Sequence, residues 1–169
     1  MSVTFRDAAP DDAAALATLG ARSFTETFGH LYAPENLAAF LTNHDAQKWR
    51  AELTGPAFAI RLGEADGQAV AYAKLGPPSL PFEPRGVPIE LRQFYVLDGW
   101  HGQGVAQDMM RWVLDEAKRR GADELFLSVF TDNARARRFY EKYGFEAVGR
   151  YHFMVGTHAD EDIVMRLAL

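Results

Sequence analysis

The stretch N-A-R-A-R-R-F-Y-E-K-Y-G-F, Asn133 to Phe145, decides how the rest of the chain reads. Asn133 is a helix-capping residue type, and Tyr140 lies seven positions further on, so both return to one helical face after two turns. Phe139 is then expected on the core side and Asn133 to Tyr143 as a helix. Immediately before it, Glu124 to Phe130 is apolar enough to be a strand. Strand and helix together make a unit that carries the capping residue and the tyrosine on one face.

Further upstream the same order recurs around W-H-G-Q-G-V-A, Trp100 to Ala106. Ile89 to Leu97 is rich in Leu, Phe, Tyr and Val and predicts a strand, and from Val105 apolar residues recur with helical period as far as Arg119. A glycine turn between strand and helix brings unsatisfied N–H groups and the positive end of the helix dipole together, which is anion-binding chemistry. Gly102 and Gly104 let the backbone approach a phosphate without a Cβ in the way. The full G-x-G-x-x-G spacing and the Lys-Ser/Thr of an ATP loop are both missing, so this segment alone fits a tight structural turn equally well.

Toward the amino terminus, Val3 to Arg6 predicts a strand and Pro10-Asp11-Asp12 the start of a helix running to about Ala21. Phe24, Phe28 and Tyr32 follow at i, i+4 and i+8, a spacing that suits a core stripe or the wall of a substrate pocket. Pro34 to Thr42 and Asp45 to Leu53 predict short helices; Phe58 to Gly63 and Ala69 to Leu75 predict a hairpin. Gly76 to Pro88 holds most of the prolines and predicts an irregular loop. At the other end, Phe145 to Val155 and Ile163 to Leu169 predict two strands joined by a polar turn, Thr157 to Asp162.

Composition narrows the function classes. The 169 residues, 48% hydrophobic and 24% charged, suit one globular domain over 1–169. With 18 basic against 23 acidic residues the net charge is −5, which argues against nucleic acid as a partner. The absence of cysteine removes disulfides, thiolate metal sites and a cysteine nucleophile. Among His30, His44, His101, His152 and His158 no two share the i, i+4 spacing of a zinc helix, so no metal is expected. Neither a signal sequence nor an apolar run of membrane-spanning length is present, so the expectation is a cytoplasmic protein without membrane attachment.

The Asn133 to Phe145 stretch resembles the second hallmark of the GCN5-related N-acetyltransferase superfamily, N-x-x-A-x-x-F/L-Y-x-x-x-G-F, and fills every position of it. The first hallmark, R/Q-x-x-G-x-G/A, maps onto His101, Gly104 and Ala106, with His101 standing where Arg or Gln is usual. The resemblance implies an α/β fold with a mixed sheet whose parallel central strands splay apart. It implies acetyl-CoA as co-substrate, its pyrophosphate on His101, Gly102, Gln103, Gly104, Val105 and Ala106, and its pantetheine arm along Phe94, Tyr95 and Val96. Asn133 would orient that arm, and Arg135 or Arg138 would pair a phosphate or else belong to a solvated helix face. The looser likeness of the Ser23 to Leu37 region to bacterial polyamine acetyltransferases would make Phe24, Phe28 and Tyr32 substrate-binding.

Direct attack by an amine on a thioester needs no enzyme nucleophile, only proton transfers. An alkylamine with a pKa near 10.4 is only about one part in 10³ neutral at pH 7, so a base, a water chain or a desolvated pocket must raise that fraction. In resembling enzymes a carboxylate near Glu90 is the base; strand alternation would place Glu90 on the face of Arg92, Phe94 and Val96, and the alternatives are an ion pair with Arg92 or another basic residue, or a surface carboxylate. Tyr140 is the expected acid for the departing thiolate. Full transfer from a phenol near 10 to a thiol near 8.5 is uphill by roughly 2 kcal/mol, so the hydrogen bond acts as charge develops or the phenol is tuned downward. A small-molecule amine or a peptide amine is the expected acceptor, with a homodimer open through the final strands. The alternatives are a noncatalytic acyl-CoA-binding regulatory domain, a protein N-terminal or lysine acetyltransferase and, more distantly, a nicotinamide-binding Rossmann domain.

Overall fold

A computed structural model describes residues 2–42 and 45–169; His44, one of the five histidines, lies outside the described residues. The chain runs β1 (Thr4–Asp7), α1 (Ala13–Phe28), α2 (Pro34–Thr42), α3 (Ala46–Thr54), β2 (Ala59–Ala65), β3 (Gln68–Gly76), β4 (Pro88–Val96), α4 (Val105–Arg119), β5 (Glu124–Phe130), α5 (Ala134–Lys142), β6 (Glu146–Val155) and β7 (His158–Ala168). The strands form a 7-stranded sheet in the order β1-β2-β3-β4-β5-β7-β6, in which β4 and β5 are parallel and every other pair antiparallel. This is the mixed sheet expected from the resemblance, and α4 makes the crossover that a parallel pair requires.

Each face of the sheet buries its own helices. On one, α4 and α5 set Met109, Met110, Val113 and Tyr140 against Ala71, Ala73, Leu75, Leu91, Leu125 and Leu127. On the other, α1 and α3 lay Leu16, Leu19 and Trp49 over Ile60, Leu62 and Tyr72. Beyond them Phe24 of α1, Tyr32 and the apolar side of α2 cover Val155 and Phe153 of β6. No helix among the described residues is long and apolar enough to cross a membrane.

Two local expectations are overturned. Lys74 pairs with Gln93 while its neighbour Leu75 pairs with Leu91, so Arg92 is a bulge residue on β4. Two residues opposing one reset the alternation. Leu91, Phe94 and Val96 therefore belong to the α4/α5 side and Tyr95 to the α1/α3 side. Glu90, adjacent to Leu91, faces the α1/α3 side as well, and does not share a face with Phe94 and Val96. The second correction concerns the predicted turn from Thr157 to Asp162. Only Gly156 and Thr157 separate β6 from β7, with Gly156 at φ 61°, and the strand begins at His158. Asp160 and Asp162 are strand residues with 6% exposure each, and their polarity had masked a period-2 pattern.

Candidate functional site

β4 and β5 pair only from Pro88↔Glu124 to Glu90↔Phe126. Past Glu90 the two strands have no register with each other, so the β5-facing backbone of Phe94 to Val96 is free of sheet bonds and a cleft opens between the strands. Around it lies a cavity of about 470 Å³. Of the residues singled out from sequence, Phe24, Phe28, Tyr32, Glu90, Phe94, Tyr95, Val96, His101, Gly102, Ala106, Asn133 and Tyr140 line this cavity. Gln103, Gly104 and Val105 lie beside it in the loop and first helical turn, with Gln103 Nε2 donating to the Gly99 carbonyl at 3.0 Å. Arg135 lines the cavity, whereas Arg138 is exposed on α5 outside it.

The glycine loop has the geometry of an anion cradle. Gly104 caps α4 at φ 82° and Gly102 has φ 77°, conformations that side chains other than glycine adopt at a cost. A Cβ at either would meet nothing within 4 Å, so backbone conformation, with open space above it, accounts for the glycines. The first intrahelical bond runs from the Asp108 amide to Gly104 O at 3.0 Å, which leaves the amides of Val105, Ala106 and Gln107 without helical partners. His101 Nε2 lies 2.7 Å from Val96 O; a carbonyl only accepts, so Nε2 carries the proton and ties the loop to the end of β4. These amides and the free β4 edge fit a pyrophosphate joined to an amide-bearing arm.

On α5, the Asn133 Oδ1 accepts from the Ala136 amide at 3.3 Å, the cap anticipated from sequence. Tyr140 is 8% exposed, its ring held by Phe94, Phe139 and Phe145 at 6.3, 5.6 and 5.6 Å between centroids. Its hydroxyl makes no hydrogen bond to the described residues, and burial pushes the phenol above its ordinary value. A donor without a partner on a residue that lines a cavity is available to a ligand.

The Glu90 carboxylate is occupied. It accepts from the Ser79 amide at 2.8 Å, the Leu80 amide at 3.2 Å and the Ser79 hydroxyl at 3.1 Å, and Arg92 Nε stands 3.4 Å away. Arg92 in turn donates to the Pro77 carbonyl at 2.9 and 2.7 Å. Together they fasten the segment between β3 and β4 over the cavity.

Phe24, Phe28 and Tyr32 pack in a core cluster and also line the cavity. Phe24 is 3% exposed and stacks on Phe40 at 4.1 Å. Residues that sequence reasoning missed complete this half. Asp160 accepts from the Tyr32 hydroxyl and lies 3.1 Å from His158 Nε2. Asp162, opposite Phe130 of β5 and Tyr151 of β6, is pushed up to about 7, first by burial and then by the charge of Asp160, with a Ser128 hydrogen bond opposing. Lys74 reaches Glu52 at 2.8 Å across the Trp49 ring, and burial pulls its ammonium below the ordinary lysine value.

The sequence profile of the acetyltransferase (GNAT) family matches residues 16–145. An uncharacterised N-acetyltransferase of Mycobacterium tuberculosis is 38% identical over 155 residues, covering 91% of this chain and 96% of that protein. Among solved structures, the PaiA N-acetyltransferase of Thermoplasma acidophilum in complex with coenzyme A has a TM-score of 0.80 at 17% identity, covering 100% of both chains. YncA, a putative acetyltransferase of Salmonella typhimurium solved with acetyl-CoA, has a TM-score of 0.72 at 22% identity, covering 100% of this chain and 95% of that one.

Proposed function

The chain belongs to the acetyltransferase (GNAT) family, and we propose that it is a single-domain enzyme that moves the acetyl group of acetyl-CoA to a small primary amine, polyamines among the candidates. One observation carries this reading: a free β4 edge, the amides of the α4 first turn and the unpartnered Tyr140 hydroxyl all border one cleft. The coenzyme A in the Thermoplasma protein and the acetyl-CoA in the Salmonella protein support the choice of co-substrate.

Bound in the cleft, acetyl-CoA supplies an activated thioester carbonyl. Gly102 to Ala106 hold the pyrophosphate with backbone amides, and His101 shapes their loop without needing a permanent charge. The backbone of Phe94 to Val96 pairs with the pantetheine arm as a further strand would. Asn133, its Oδ1 spent on the helix cap, keeps an amide NH₂ for the arm, and Arg135, rather than the outlying Arg138, is positioned for a phosphate. Tyr140 donates to the sulfur as charge develops on it. Glu90, held by Ser79, Leu80 and Arg92, fixes the covering segment and is a poor base in that state, because those donors already occupy its lone pairs.

Calorimetric titration with acetyl-CoA, followed by spermidine, simple alkylamines and a peptide amino terminus with thiol release monitored, tests this reading. Binding followed by amine-dependent thiol release is expected. Binding with no release from any acceptor would favour a noncatalytic acyl-CoA-binding domain, and absence of binding would refute the co-substrate.

A further inference from the structure

The bulge on β4 divides the cavity into two halves with different chemistry. Phe94, Val96, Leu127 and Val129 belong to the α4/α5 side, with Tyr140. Side chains opposite one another on neighbouring antiparallel strands share a face, so Ser128 and Phe130 of β5, Tyr151 and Phe153 of β6, and Asp160 and Asp162 of β7 all belong to the other side, under α1 and α2. Both halves line one continuous cavity. The second half has aromatic walls from Phe24, Phe28, Phe40 and Phe153, and apart from the exposed Lys48 of α3 its lining cations are already paired. Glu90 is matched by Arg92, and Glu52 by Lys74. Asp162 has no ion pair among the described residues, and Asp160 has only His158, whose side chain is 46% exposed.

We propose that Asp160 and Asp162 form the ammonium receptor of this acceptor half, that Asp162 takes the proton of the bound amine, and that the acceptor is a primary alkylamine with an apolar body and no carboxylate beside the nitrogen. This deepens the acetyltransferase reading and rests on it for the acyl donor. The carboxylates do not stand alone: the Tyr140 hydroxyl, on a side chain more than nine-tenths buried, borders the same cavity without a partner, and the Gln93 Oε1 is buried with no hydrogen bond in the same wall. An ammonium between the aspartates supplies the missing countercharge. An acceptor carboxylate would instead add a third negative charge near two buried ones.

The proton balance is complete. The ammonium gives one proton to an Asp162 oxygen; its freed lone pair forms the C–N bond as the C–S bond breaks. The sulfur leaves as a thiolate held by the Tyr140 hydroxyl and takes, by way of that hydroxyl or solvent, the proton that the new amide nitrogen sheds, and Asp162 returns its proton to water. Asp160 on its own strand and Ser128 on β5 act on Asp162 directly, and the other titratable groups around it are His158 beside Asp160, Tyr151 on β6, Tyr95 on β4, and Tyr32 between α1 and α2. Burial and the Asp160 charge prevail, so Asp162 is ready to accept a proton near neutral pH rather than far below it.

The test uses phenethylamine and phenylalanine, which differ by one carboxylate. Calorimetry at pH 8, with and without coenzyme A, is expected to show phenethylamine binding at least tenfold tighter than phenylalanine, and each of Asp160→Asn and Asp162→Asn lowering that affinity at least fivefold while coenzyme A affinity stays within twofold. In turnover, Asp162→Asn should lose about 10²- to 10⁴-fold in kcat and the acidic limb of kcat/KM near pH 7. Carboxyl ¹³C titration of the unsubstituted protein, independent of any variant's folding, should place the Asp162 midpoint near 7 and lower it when phenethylamine binds. An unchanged pH profile in Asp162→Asn, equal binding of phenylalanine, or a midpoint below 5 would overturn the proposal. Receptor-dependent amine binding without thiol release would instead overturn the acetyltransferase reading and leave the receptor standing.

Discussion

Tyr140→Phe removes one oxygen, and its consequences separate catalysis from packing. The hydroxyl makes no hydrogen bond to the described residues, so folding loses no polar contact with it, while the ring keeps its neighbours Phe94, Phe139 and Phe145. Stability is expected to change by less than about 0.5 kcal/mol. Turnover loses a hydrogen bond to a sulfur that carries developing charge, a bond worth about 1.5–3 kcal/mol, which converts to about a 10- to 150-fold fall in kcat. The assay is thiol release at saturating acetyl-CoA and amine, with coenzyme A affinity by calorimetry and the melting temperature measured on the same preparations. Because burial raises the phenol, no basic limb attributable to Tyr140 should appear below pH 10. A kcat within twofold of the parent, or a loss matched by equal losses of coenzyme A binding and melting temperature, would refute the role of Tyr140 as acid and return it to the core.

Other residues give sharper tests of structure. Gly104→Ala places a Cβ at φ 82°, which costs about 1–2 kcal/mol, and projects it into the open space above the α4 amides; coenzyme A affinity should fall at least tenfold by calorimetry. Glu90→Gln should leave the acidic limb of the pH–rate profile in place and speed proteolysis between Pro77 and Val87, since Ser79, Leu80 and Arg92 lose a charged anchor; a displaced limb would restore Glu90 as base. Glu124 is 1% exposed and accepts from Arg166 Nε at 2.6 Å and the Arg85 and Gly86 amides at 2.8 and 3.0 Å, so Glu124→Ala should cost about 3–5 kcal/mol in urea unfolding. Burial opposes its ionisation, but those donors hold its carboxyl below the ordinary value; its contribution is therefore present above the ordinary glutamate range and lost as pH falls through the lowered one.

What could be read in the sequence was local. The Asn133 cap, the glycine turn before α4 and the helix that carries Tyr140 each depend on residues within a few positions of one another, and all stand where expected. The β4 bulge was invisible because it is a property of the pairing with β3: Ile89 to Leu97 alternates well enough alone, and only the Lys74/Leu75 shift shows that Arg92 is the extra residue. The acidic half of the cavity was hidden for a related reason. His158 to Asp162 is polar at nearly every position and imitates a turn, yet Phe130, Tyr151 and Phe153 of two other strands convert alternate aspartates into buried groups. Charge inside a strand contradicts local propensity, and such contradictions concentrate where function requires them.

That contradiction has a measurable thermodynamic signature at Asp162. A carboxyl moved from 3.8 to about 7 binds its proton more tightly in the folded chain than in the unfolded one. Between those pH values the folded state holds the extra proton, so this group makes stability fall as pH rises; the cost is complete above about 7 and absent below about 4. Carrying the shift through gives a ceiling of about 4 kcal/mol at pH 8, less whatever relaxation around Asp160 recovers. Asp162→Asn keeps the shape and removes the charge, so it should melt several degrees higher than the parent at pH 8, with the advantage shrinking toward pH 5 as the parent's own carboxyl becomes neutral. A purely structural aspartate, held as an anion by donors, predicts the opposite order at pH 8. A variant both more stable and nearly inactive would show that the fold tolerates this charge for the chemistry of the cavity; a less stable one at pH 8 would refute that account of Asp162.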